Sequence, residues 1–68
     1  MAVLKVIEIL ADSDESWEDA ARAAVKQASK SVNNIKSVWI KDHSCSVNDK
    51  GKITSFRVAT KITFEVNT

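Results

Sequence analysis

A single glycine divides the second half of this 68-residue chain into two long alternating stretches, and that division limits the folds open to it. Lys36–Val47 and Lys52–Val66 read as strands, joined by Asn48-Asp49-Lys50-Gly51, whose composition is that of a turn. In the second arm Phe56, Val58, Ile62, Phe64 and Val66 share one face, because strand side chains alternate. Arg57, Ala59, Lys61, Thr63 and Glu65 share the other. One face is built to cover a core. The other must meet water, a second subunit or a ligand.

The first half supplies that core. Val3–Leu10 is a nearly continuous apolar run, which predicts a strand covered on both faces. Ala11–Glu15 reads as a short acidic loop, and Ser16 as a helix N-cap with Asp19 three positions on, in the manner of a capping box. From Trp17 to about Asn33 the period becomes helical. Trp17, Ala20, Ala21, Ala24, Val25, Ala28, Val32 and Ile35 form the apolar stripe, while Glu18, Arg22, Lys26 and Lys30 face away. Acidic groups gather at the helix start and lysines at its end, as the helix dipole favours. The predicted class is α+β in the order β-α-β-β, a three-stranded antiparallel sheet wrapped around one helix, as one domain over residues 1–68.

A chain of this size has a marginal core and usually needs a disulfide, a metal or partner subunits. Cys45 is the one cysteine, so no internal disulfide can form, and His43 with Cys45 falls short of a four-ligand zinc site. Oligomerisation remains, and the overlong second arm, too long for one helix to cover, points the same way. Ten basic and nine acidic residues leave a formal charge of +1, which argues against a nucleic-acid partner. No apolar run approaches the roughly 20 residues that span a bilayer, so no membrane partner is expected. The absence of a secretory pattern and the free thiol fit a reducing, cytoplasmic setting.

Four strings carry a resemblance: Lys5-Val6-Ile7-Glu8-Ile9, Ser16-Trp17-Glu18-Asp19-Ala20-Ala21, Ser31-Val32-Asn33-Asn34-Ile35, and Gly51-Lys52-Ile53 through Phe64. In order and spacing they resemble the dodecins over nearly the whole chain, and most of all the bacterial branch of calcium dodecins. The resemblance implies a homo-oligomeric hollow shell of twelve subunits with cubic symmetry. It implies a non-enzymatic role: binding or storing a small ligand, FMN or riboflavin in many members, or a divalent cation in others.

Site residues carry over position by position, with one residue inserted in the turn near Lys50. The tryptophan that stacks on the flavin ring in flavin-binding members corresponds to Ser37, which has no π surface. The glutamine that hydrogen-bonds the ring corresponds to Arg57, and a basic phosphate contact corresponds to Glu65. All three departures weaken a flavin site. Trp39, two residues beyond Ser37, projects from the same strand face and offers a flat aromatic about 7 Å further along. It serves either as a displaced stacking platform or, the reading preferred here, as an interface plug. The implied site is therefore Ser37, Trp39, Arg57 and Glu65, weak or displaced for flavin. The alternative is an ion-binding or purely structural shell.

The remaining candidates have plainer readings. Trp17 is expected to pack in the core or an interface, and Arg57 to pair with a neighbouring subunit's carboxylate sooner than with an anionic ligand. His43 and Cys45 lie on one strand face but lack further metal ligands. Asp12, Asp14 and Glu15 read as a solvated cap, since the glycine-centred spacing of a calcium loop is missing. No glycine-rich phosphate loop or catalytic triad is present, and no enzyme activity or metal site is expected.

Overall fold

In the computed structural model, which describes residues 2–66, β1 spans Val3–Ser13, α1 Trp17–Ala28, β2 Ile35–Val47 and β3 Ile53–Val66. The strands form one antiparallel sheet in the order β1-β3-β2, so the last strand lies in the middle. The hairpin turn is held by Asn48, whose Oδ1 accepts from the backbone N–H groups of Lys50 (2.9 Å) and Lys52 (3.1 Å). Gly51 takes φ +78°, a left-handed conformation that side chains resist, which explains why the glycine stands there.

The alternation expected of β3 is present. Val58, Thr60 and Ile62 are buried under the helix, and Ala20, Ala24 and Ala28 are the buried residues of α1. Ile7, Ile9, Ala11, Val25, Val32 and Ile35 pack around Ala24, Ala28 and Ile62. Thr60 is the one polar side chain of β3 in this layer. Its hydroxyl donates to the Ile9 carbonyl at 2.8 Å, which offsets its desolvation. Because the helix meets the sheet through alanines, the two layers approach closely.

Three local expectations are corrected. β1 continues through Ala11 and Asp12 to Ser13, because these residues pair with Val58, Arg57 and Phe56 instead of looping out. The helix ends at Ala28, not near Asn33. The Ser29 hydroxyl donates to the Lys26 carbonyl, the Ser31 and Val32 amides donate to the Ala28 carbonyl, and Asn34 takes φ 62°. The cap is only half a capping box. Ser16 accepts from the Asp19 amide at 3.0 Å, but the Asp19 carboxylate accepts from the Ser13 hydroxyl at 2.7 Å.

Nor is β1 covered on both faces by its own chain. Ile7, Ile9 and Ala11 turn toward the helix, whereas Leu4, Val6 and Leu10 stand exposed on the other side. The chain measures 52 × 19 × 13 Å. Twelve helical residues reach roughly 18 Å. A fourteen-residue strand reaches roughly 46 Å. The hairpin therefore runs well beyond its cover.

Candidate functional site

The sheet face turned away from the helix is laid out in cross-strand rows. Reading β1, β3, β2, these are Asp12–Arg57–Ser44, Leu10–Ala59–Asp42, Glu8–Lys61–Trp39, Val6–Thr63–Ser37, and Leu4–Glu65 at the end. Ser37, Trp39, Arg57 and Glu65 thus share a face but do not converge. Ser37 and Trp39 occupy adjacent rows. Arg57 and Glu65 lie eight residues apart on β3, roughly 27 Å along the strand.

Trp39 is the large aromatic of this face and is 61% exposed. Lys61, opposite it in the central strand, places Nζ 5.5 Å from the indole centroid, within cation–π range. The same ammonium lies 3.8 Å from Glu8 Oε1, and Lys41 Nζ approaches that oxygen to 3.9 Å. Lys41 has no partner on β3 because a bulge falls between Ile40 and Asp42, and this lets it reach over toward β1. The middle row is therefore one carboxylate, two lysines and an open indole.

Arg57 is already engaged. Its Nε donates to Asp12 Oδ1 at 2.9 Å and its Nη2 to Oδ2 at 3.2 Å, a two-pronged pair between β3 and β1 of one chain. The expected partner, a carboxylate of a neighbouring subunit, is replaced by Asp12 because β1 extends far enough to bring it alongside. The hydrogen bonds from Arg57 hold the Asp12 carboxyl below its ordinary value of 3.8, and Asp12 holds the guanidinium above its own. A carboxylate depressed on folding contributes stability above its ordinary value and loses it as pH falls through the depressed one. The stability gap between wild type and Asp12→Asn, followed by denaturant unfolding, should thus be small near neutrality and close below pH 3.8. A gap that stays constant down to strong acid would show that the pair contributes nothing through charge.

Glu65 borders a different feature, an open depression of about 300 Å³ shared with Lys5, Ser31, Asn33, Asn34 and Phe64. The flavin site implied by the resemblance does not fit these residues. Ser37 offers no ring, Arg57 is held by Asp12, and Glu65 is an acid two rows from the indole. Trp39 is the surviving aromatic surface.

On the helix side, Trp17 packs edge-on against His43 and Phe56, with centroids at 5.0 and 5.1 Å. Its indole N–H donates to the Ser44 carbonyl at 3.0 Å, so it fastens the start of α1 to β2. His43 is thereby part of a packing contact. The acidic stretch is dispersed, with Asp12 on Arg57, while Ser13 accepts from the Glu15 amide. Among the described residues, no group of three or more His, Cys, Asp or Glu side chains is gathered to hold a metal ion. No local sequence pattern marks Glu8, Lys41 and Lys61 as a group. The signal that finds them is the strand order, which puts Glu8 and Trp39 on either side of Lys61.

The family profile for dodecin matches residues 3–67. This chain belongs to the dodecin family. Dodecins are non-enzymatic ligand-binding proteins, and membership implies a homo-oligomer. Calcium dodecin of Mycobacterium tuberculosis is 38% identical over 66 residues, covering 97% of this chain and 92% of that one. Its crystal structure, described as that of a calcium-chelating antigen, superposes with TM-score 0.82 at 35% identity, over 96% of this chain and 91% of that one. A variant of the Thermus thermophilus dodecin superposes with TM-score 0.90 at 22% identity, over the full length of both chains. The Streptomyces davaonensis dodecin gives TM-score 0.90 at 24% identity, over 98% of this chain and 97% of that one. These last two likenesses establish the β-α-β-β dodecin fold. Among the described residues, no helix of this dodecin is long and apolar enough to cross a membrane.

Proposed function

We propose that this dodecin is a twelve-subunit shell that binds or stores a small flat ligand on the sheet face turned away from the helix, at Trp39, without catalysing a reaction. The carrying observation is the indole itself, 61% exposed on a face that none of the described elements of its own chain covers. The site is displaced by one row from Ser37 and is weak for flavin, because stacking from a single aromatic contributes on the order of 1 kcal/mol. A reducing, cytoplasmic setting suits the free thiol of Cys45.

Titration with riboflavin and FMN, followed by flavin fluorescence, tests this reading. The expected result is partial quenching with weak affinity, abolished in Trp39→Ala. Absence of quenching by either flavin would remove the ligand reading.

A second reading, a cation-binding shell, is favoured by the 38% identity to calcium dodecin. With no cluster of three acidic, His or Cys ligands among the described residues, such a site would draw its ligands from more than one copy. Calorimetry with calcium on the assembled protein distinguishes the two readings, since a flavin site gives no calcium heat.

A further inference from the structure

The row Glu8–Lys61–Trp39 carries more than a stacking surface. Lys61 is the hub of the row: it faces Glu8 across one ladder and Trp39 across the other. Its ammonium lies near the exposed ring and near the carboxylate at once. At 3.8 and 3.9 Å from Glu8 Oε1, the ammoniums of Lys61 and Lys41 are beyond hydrogen-bonding distance, so their N–H donors remain available to a third group. One carboxylate offsets one of the two positive charges. The other acids of the face are spoken for or more distant: Asp12 is held by Arg57, Asp42 belongs to the next row, and Glu65 lies two rows away.

A neutral ring settling on Trp39 has to push Lys61 aside and forfeits the attraction between ammonium and indole. A ring that carries an anionic group replaces that lost attraction with a charge-assisted hydrogen bond from the displaced ammonium. We propose that Lys61, supported by Lys41 and tempered by Glu8, makes the Trp39 site selective for flat ligands bearing a phosphate or carboxylate. This rests on the reading of Trp39 as a ligand surface and names the chemical class that surface accepts.

FMN and riboflavin share one ring system and differ by a phosphate, so the ratio of their affinities isolates the charge preference. At low salt the protein should bind FMN about tenfold more tightly, as one charge-assisted hydrogen bond allows. Lys61→Met should bring the ratio near one without weakening riboflavin, Lys61→Arg should preserve it, and Glu8→Gln should enlarge it. Raising salt should shrink the ratio in the wild type. Light scattering on each variant shows that the assembly is intact, and only intact assemblies are compared. Equal binding of both ligands by the wild type, or a preference that survives Lys61→Met, overturns the proposal while leaving Trp39 as the stacking surface. Failure of both ligands to bind overturns the Trp39 reading and the proposal with it.

Discussion

In light scattering at micromolar concentration the protein should appear as one closed particle of about 90 kDa, twelve copies of a 7.5 kDa chain. Leu10→Glu should break it into subunits. Leu10 is 65% exposed in the single chain, and Leu4 and Val6 stand beside it on the same face of β1. Their own helix lies on the opposite side of the sheet, so another copy must cover them. Burying each such side chain contributes about 1.5–3 kcal/mol, and the gain recurs at every symmetry-related contact. A carboxylate at position 10 would instead have to be buried unpaired or would prevent the contact, at a cost of several kcal/mol. A closed particle would also protect β1 and β2, both edge strands of the sheet. A stable wild-type monomer would sink the assembly proposal, and a particle unchanged by Leu10→Glu would place Leu10 outside the contact.

Ile62→Ala should cost about 2–5 kcal/mol, a large part of what a small domain possesses. Ile62 is fully buried in the central strand, with Ala24 and Ala28 packed over it. Alanine side chains have no rotamers with which to fill the space, and the helix backbone is already close to the sheet. The cavity therefore persists, and the cost should lie toward the upper end of that range. Denaturant midpoints compared at equal protein concentration measure it, since assembly makes stability concentration-dependent. A loss below about 1 kcal/mol would mean that the helix collapses onto the sheet and that the layer is looser than the packing indicates.

The parts of the molecule that were legible in the sequence are those governed by near neighbours. Alternation along Phe56–Val66 gave the two faces of β3, Ser16 gave the cap, and Asn48 with Gly51 gave the turn. Counting puts Ser37 with Trp39 on one face of β2 and Arg57 with Glu65 on one face of β3, and the register joins these into a single sheet face. Distant partners decided the rest. Ala11-Asp12-Ser13 looks like loop until Arg57 and Phe56 are laid opposite it. Arg57 reads as the partner of a neighbouring subunit's carboxylate because nothing local marks Asp12, forty-five positions away, as its partner. Thr60 looks out of place in an apolar layer until the Ile9 carbonyl is found within reach. The meeting of Glu8, Lys61 and Trp39 follows from strand order, which no local periodicity encodes.

The position of β3 between β1 and β2 bears on how the molecule is made. Val3 pairs with Val66 and Ser13 with Phe56, so the first strand finds its partner in the last. During synthesis β1 and α1 emerge with no sheet to join, and the apolar face of β1 stays unpaired until β3 has left the ribosome. The hairpin can form by local contacts, but closing β1 onto it spans nearly the whole chain, a pattern that slows folding. Subunits should therefore dock only after their chains are finished, and a nascent chain stalled before β3 would be a target for chaperones and proteases.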